Sequence, residues 1–230
     1  MGNKYYAKLI PGFKLISFLV VPVYAFLLWL FLRQTLLGFV FFLFVTTAAI
    51  ERYWETYLSS KESHREKFHG DWTLAVMSVV YIILFFVFTT EFYFKKCHLN
   101  YSLLVAGIIM MMMSFRLRFW GMHVLGKQWA VHAVGAQKIR RIRLMKLGPY
   151  KYIRHPIYLG IILEVVGLPL IANSMVGIVY AILICIPIMV VRASEEERCS
   201  LRRFGHKYNE YINEADFLVP FKQILRLFRK

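Results

Sequence analysis

Acid is scarce in this sequence. Its 13 Asp and Glu stand against 29 Lys and Arg, for a formal charge of +16, and no acidic residue lies between Glu91 and Glu164. Charge of either sign is also scarce, at 18% of residues against 59% hydrophobic, which leaves too little polar surface for a soluble globular chain. The three cysteines, Cys97, Cys185 and Cys199, are isolated and form no Cys-x-x-Cys, which argues against a disulfide framework and against zinc; no metal is expected. There is no internal repeat and no low-complexity segment beyond the run Met110–Met113, which suits lipid contact or packing. The first apolar run has no small-x-small site after it, so a cleaved signal peptide is not expected. Met1-Gly2 is followed by Tyr6 where a myristoylation signal needs Ser or Thr.

What the chain has in quantity is apolar length. Six stretches approach the roughly 20 residues that cross a bilayer core: Leu15–Leu32, Gln34–Ile50, Thr73–Thr90, Leu99–Phe115, Ile157–Ala172 and Met175–Val191. The expected fold is all-α, a polytopic membrane bundle of about six transmembrane helices with a cytoplasmic C-terminal helical region. Lys and Arg collect at one set of ends: Lys4, Lys8 and Lys14, the segment Glu51–Trp72, the segment Arg116–Pro156, and the tail. By the positive-inside rule both termini are expected in the cytoplasm. The basic, acid-free stretch has two readings, topology alone or an electropositive mouth for an anionic ligand. Nothing suggests a nucleic acid partner; the expected partners are the bilayer and a lipophilic molecule.

The polar residues with a pattern gather on either side of an apolar hairpin. Gly148-Pro149 breaks the chain, and Tyr152, Arg154 and His155 lead into Pro156, which suits the first turn of a helix because its missing N–H is not needed there. Arg154 and His155 then stand at a helix N-terminus, where unpaired N–H groups favour a carboxylate or phosphate. Tyr158 and Gly160 follow in the first turns. Asn173-Ser174 closes the hairpin, so that Arg192 and Glu195–Glu197 return to the side of Arg154. Tyr208 and Tyr211, after Phe204-Gly205, share one face of a tail helix. The Glu triplet reads either as a solvated helix paired to Arg198, Arg202 and Arg203 or as carboxylates facing a cation. Glu164, an ionisable group inside a span, reads either as a structural pair or as a substrate-facing group.

In order and spacing, Arg154-His155-Pro156-x-Tyr158-x-Gly160, the Glu run and Phe204-Gly205-x-x-Tyr208-x-x-Tyr211 resemble the isoprenylcysteine carboxyl methyltransferase and phospholipid methyltransferase superfamily. The resemblance covers roughly the last hundred residues, and Leu125-Gly126-Lys127-Gln128-Trp129 adds a weaker match upstream. It implies an integral membrane methyltransferase that uses S-adenosylmethionine, held by Gly126, Lys127, Tyr152, Arg154, His155, Pro156, Tyr158, Gly160, Glu196, Glu197 and Tyr208. A third Glu at 195, with Leu201 one step late for the usual Glu-Glu-x-x-Leu, leaves open which two carboxylates are the counterparts.

The acceptor implied is a carboxylate on a lipophilic or lipidated substrate. Such a group needs no base, only a cation to hold it: Arg202, Arg203 or Arg192. An amine acceptor would need a base, for which Glu164 and the triplet Glu195–Glu197 are candidates. The alternatives are a phospholipid or lipid amine methyltransferase and, in another class, an NADPH-dependent sterol or enone reductase. A transporter or scaffold is disfavoured, because the ionisable residues gather at one membrane face. The expected division is 1–98 as an accessory unit of three spans and 99–230 as the methyltransferase core.

Overall fold

The computed structural model describes residues 19–57, 72–128 and 143–221, with the backbone alone for residues 56, 57, 72–75 and 127. The basic N-terminus expected at Lys4, Lys8 and Lys14, the segment around Trp129, and Lys138, Arg140 and Arg141 lie outside the described residues. Within them the chain is helical throughout: α1 (Leu19–Leu32), α2 (Leu36–Tyr57), α3 (Trp72–Phe94), α4 (Tyr101–Leu125), α5 (Pro156–Ile171), α6 (Met175–Phe204) and α7 (His206–Glu214). The all-α membrane bundle expected from the sequence is what forms.

Four of these helices are long and apolar enough to cross a membrane: Leu36–Glu55 within α2, Val76–Phe94 within α3, α4 and α6. The other two apolar helices, α1 and α5, are shorter. At 1.5 Å per residue the 16 residues of α5 reach only about 24 Å. Six equal spans are therefore not what the helix lengths give. Where the apolar stretches were expected to end, the helices continue: α2 runs on past Ile50, α4 past Phe115 and α6 past Val191. Backbone hydrogen bonding does not stop where side chains become polar, and the extensions carry the charged residues that matter below.

Helix ends are set by local chemistry. The Asn100 side chain accepts from the N–H groups of Ser102 and Leu103, starting α4. Ser174 caps α6 by accepting from Gly177 N, and Glu91 of α3 ties down the same turn, receiving the Ser174 hydroxyl at 2.5 Å and Val176 N–H at 3.1 Å. In α6 a five-residue π segment, Ala181–Cys185, stands just before Pro187, whose absent N–H removes one rung of the ladder.

The tightest packing joins α4 to α5. Small residues recur every seventh position, Gly107, Ser114 and Gly121 on α4, facing Gly160 and Gly167 on α5. A methyl group on Gly107 would come within 2.8 Å of the Gly167 carbonyl, and one on Gly160 within 2.5 Å of Arg118 Cγ and 3.1 Å of the Ser114 carbonyl. Backbones this close gain dispersion along the whole seam, the driving term where lipid is as apolar as the helices. On the other flank, α1, α2 and α3 share an aromatic core. Phe41 stacks on Phe92 with centroids 3.6 Å apart, and the Tyr93 hydroxyl donates to the Gly38 carbonyl at 2.8 Å.

Candidate active site

The site begins with a turn. Gly148, at φ +57, opens a 3-10 turn over Gly148–Lys151, and Ile153 N–H bonds back to the Pro149 carbonyl at 3.1 Å. The chain then extends from Tyr152 to His155 beside a second extended piece that follows α7. Asp216 N–H donates to the Tyr152 carbonyl at 3.0 Å, Arg154 N–H to the Asp216 carbonyl at 2.7 Å, and His155 N–H to the Phe217 carbonyl at 3.2 Å. This short parallel pairing, a bridge between Ile153 and Asp216, fixes Arg154 and His155 at the head of α5, with Pro156 buried at its first position.

Two interlocked clusters join α5 to α6. Arg154 Nε donates to Glu197 Oε1 at 2.5 Å, its Nη1 donates to the carbonyls of Ala215 at 2.5 Å and Ile212 at 3.3 Å, and its guanidinium lies over Phe217. His155 Nε2 is 3.2 Å from the same Glu197 oxygen; an ionised carboxylate only accepts, so the ring proton sits on Nε2. One position back along α6, Glu196 Oε1 receives the Tyr158 hydroxyl at 2.5 Å, and the Tyr158 oxygen in turn accepts from Arg192 Nε at 2.9 Å. Arg192 is buried at 2% exposure. Glu195 instead pairs with Arg198 at 2.6 Å, on the exposed face of the helix. Geometry thus brings Glu196 and Glu197 to the His-Pro turn and leaves Glu195 outside it.

The tail covers this centre. Tyr208 and Tyr211 are buried side by side on α7, and the Tyr211 hydroxyl donates to the Tyr150 carbonyl at 2.6 Å. Burial pushes the phenols of Tyr150, Tyr208 and Tyr211 up, reinforced at Tyr150 by Glu196 and at Tyr208 by Glu197. All three remain neutral donors across physiological pH. Tyr150 was missed as a site neighbour in the sequence, although Gly148-Pro149 marked the turn that carries it.

Other expected residues stand elsewhere. Tyr152 is 41% exposed and engages the centre only through its carbonyl. Gly160 belongs to the α4 seam. Gly126, at φ +53, ends α4 on the surface, with nothing near where a side chain would sit, and the Lys127 side chain lies outside the described residues. Arg202 and Arg203 are exposed in the last turn of α6, so neither stands where a buried carboxylate would be held. Helical phase turns them outward while Arg192, three turns earlier, faces in.

Glu164 is fully buried, apart from the Arg154 centre, in a second ionic cluster. Its carboxylate accepts from Arg52 Nε at 3.1 Å and again from Arg52 Nη2, from the Tyr81 hydroxyl, and pairs with Arg118 Nη1 at 2.9 Å. Arg118 also meets Glu55, and Glu51 at 3.1 Å; Arg52 meets Glu55 at 2.8 Å. The structural pairing considered for Glu164 is therefore present. Its partners went unseen because the apolar stretches ended at Ile50 and Phe115, placing Glu51, Arg52, Glu55 and Arg118 in loops. The helices carry them inside. Among the described residues no group of His, Cys, Asp and Glu could hold a metal ion.

Residues 104–201 match the model of the isoprenylcysteine carboxyl methyltransferase (ICMT) family. The protein-S-isoprenylcysteine O-methyltransferase of Saccharomyces cerevisiae is 25% identical over 191 residues, spanning 79% of this chain and 80% of that protein. Among solved structures, the eukaryotic intramembrane Ras methyltransferase ICMT superposes with a TM-score of 0.60 at 22% identity, over 95% of this chain and 89% of that one; at that identity the likeness speaks to the fold.

Proposed function

We infer from its likeness to the isoprenylcysteine carboxyl methyltransferase family over residues 104–201, and to a protein-S-isoprenylcysteine O-methyltransferase over most of its length, that this multi-pass membrane protein is a methyltransferase that takes its methyl group from S-adenosylmethionine and delivers it to a carboxylate on a lipophilic substrate. The observation that carries the reading is the interlocked centre in which Arg154, His155 and Tyr158 of one element face Glu196 and Glu197 of another.

That donor set fits the proposed cofactor. S-adenosylmethionine carries an ammonium, a sulfonium and a carboxylate on a short chain beside an aromatic base. Glu196 and Glu197 supply negative charge for the two cations. Arg154, His155 and the first turn of α5 supply donors for the carboxylate. Tyr208, held against Tyr211, offers a flat apolar cover for the base. Tyr152 and Pro156 shape the turn.

When bound, the cofactor supplies an electrophilic methyl group on sulfur. The remaining task of the protein is alignment and exclusion of water. A carboxylate acceptor is nucleophilic as it stands, so no proton has to move. Arg192, buried beside Tyr158, is placed to orient negative charge close to the centre, whereas Arg202 and Arg203 are not. Substrate arrives laterally, because a lipid tail kept in hydrocarbon retains roughly 0.8 kcal/mol per buried CH2. The side of the membrane that carries the Arg154 centre and α7 is proposed to be cytoplasmic, from the distribution of Lys and Arg.

The test uses purified protein in detergent with methyl-labelled S-adenosylmethionine, total lipids and a farnesylcysteine analogue, followed by alkali. Label released as volatile methanol is expected and reports a methyl ester. Alkali-stable label in lipid would move the assignment to an amine acceptor. No transfer together with no saturable cofactor binding would overturn the methyltransferase reading.

A further inference from the structure

The buried cluster around Glu164 is more than a brace. It draws on four helices, Glu51, Arg52 and Glu55 from α2, Tyr81 from α3, Arg118 from α4 and Glu164 from α5, and it lies deep: Glu164 is about 12 Å along α5 from Pro156. Bracing alone would be served as well by apolar packing, since desolvating ions offsets most of what their pairing returns. Ionisable groups at such depth mark sites where something polar has to be received. Two donors stand ready. Arg118 Nε and Ser114 Oγ, one turn apart on α4, are both fully enclosed and have no hydrogen-bond partner among the described residues. The stem of Arg118 and the backbone carbonyl of Ser114 lie against Gly160, two residues beyond Tyr158 of the centre already described. The most exposed side chains of the cluster are those of Arg52 and Glu51, at 15% and 30%. The same helix presents Val40, Leu43 and Ile50 outward, an apolar track for a lipid tail.

Building on the methyltransferase reading, we propose that Arg52 and Arg118 form the seat of the acceptor's carboxylate, and that Glu164 occupies those arginines until the acceptor enters. The exchange replaces one carboxylate by another on the same guanidinium pair; Glu164, displaced, keeps the Tyr81 hydroxyl as a donor, and the negative charge that the acceptor brings in is removed when it is methylated. Arg118 Nε–H and the Ser114 hydroxyl then gain the oxygen they lack. When the S–CH3 bond breaks and the O–CH3 bond forms, the sulfonium becomes a neutral thioether and the acceptor a neutral ester. An ester no longer holds two arginines against Glu164, so Glu164 closes the seat and the product leaves. Recognition of the acceptor's head group thereby draws on Arg52 of α2 as well as on Arg118 of α4, and so reaches outside residues 104–201.

The experiment compares wild type, Arg52→Gln, Arg52→Lys and Tyr81→Phe as full chains in lipid nanodiscs. The probes are N-acetyl-S-farnesylcysteine, its methyl ester, and labelled S-adenosylmethionine. Arg52→Gln should raise KM for the acid by about tenfold or more while the cofactor KM stays within about twofold, with Arg52→Lys in between. In direct binding without cofactor, the acid should bind wild type about tenfold more tightly than the ester, and Arg52→Gln should abolish the difference. Should Arg52→Gln fail to fold, Arg52→Lys and Tyr81→Phe decide: an acceptor KM within about twofold of wild type in both overturns the seat. Equal binding of acid and ester by wild type overturns it too. A chain that prefers acid over ester through Arg52 yet transfers no methyl group keeps the seat and loses the methyltransferase reading. One that transfers methyl without using Arg52 does the reverse.

Discussion

At the scale of single residues, Glu195, Glu196 and Glu197 are chemically identical and differ only in where α6 points them. Glu197 is held by Arg154 and His155, Glu196 by Tyr158, and Glu195 by the exposed Arg198. Glu197→Gln leaves a buried guanidinium without its counter-charge and should cost about 3 kcal/mol of stability. Glu195→Gln should cost under about 0.5 kcal/mol, as surface pairs do. Thermal unfolding in detergent separates the two, and cofactor titration should show affinity reduced about tenfold or more for Glu196→Gln and Glu197→Gln and within about twofold for Glu195→Gln. Equal effects at all three positions would contradict this division. The sequence made the motif legible but not this choice. Glu196 and Glu197 lie three and four residues past buried Ala193, the spacing that shares a helix face. Counting that phase forward from the apolar span fails, because the π segment Ala181–Cys185 and Pro187 shift the register partway.

At the scale of elements, the α4–α5 seam decides how the site is held. Gly160 has no room for a methyl group against the Arg118 stem and the Ser114 carbonyl. Gly160→Ala should push the helices apart at the level of both ionic clusters and lower stability by about 1–3 kcal/mol, as overpacking does. Gly126→Ala meets no neighbour, so its cost is that of the backbone alone, about 1–3 kcal/mol at φ +53 and ψ −124. The unfolding midpoint of Gly160→Ala tests the seam; a Gly160→Ala protein as stable as wild type would mean that the seam is loose. The hairpin was legible in advance through Asn173-Ser174, and the His-Pro start of α5 through Pro156. The seam was also present in the sequence as small residues seven apart, but it was hidden among apolar neighbours. The polar ends of α2 and α4 carry no long apolar run, so nothing in the sequence distinguishes them from loops.

At the scale of the whole molecule, the expected division into an accessory 1–98 and a methyltransferase core 99–230 meets a physical objection if the core is taken alone. Arg118 and Glu164, in the second part, are paired with Glu51, Arg52, Glu55 and Tyr81 of the first. Cutting the chain near Cys97–Asn100, in the short connection between α3 and α4, would strand those groups in an apolar bundle. The second part alone would keep Arg118 and Glu164 together. It would expose the face that α2 and α3 cover, with Arg118 deprived of both Glu51 and Glu55. Removing partners from a buried network is costly, about 3–5 kcal/mol for each pair broken, comparable with the whole stability of a typical domain. Residues 99–230 expressed alone are therefore expected to be degraded or to elute as aggregate. Co-expression of 1–98 with 99–230 should restore a complex that co-purifies and binds cofactor. The same pairs then act between chains, so Arg52→Gln in the first fragment should weaken its capture by the second. Monodisperse, cofactor-binding 99–230 without its partner would show that the ionic cluster is dispensable for the core, and the accessory reading of the first three helices would stand.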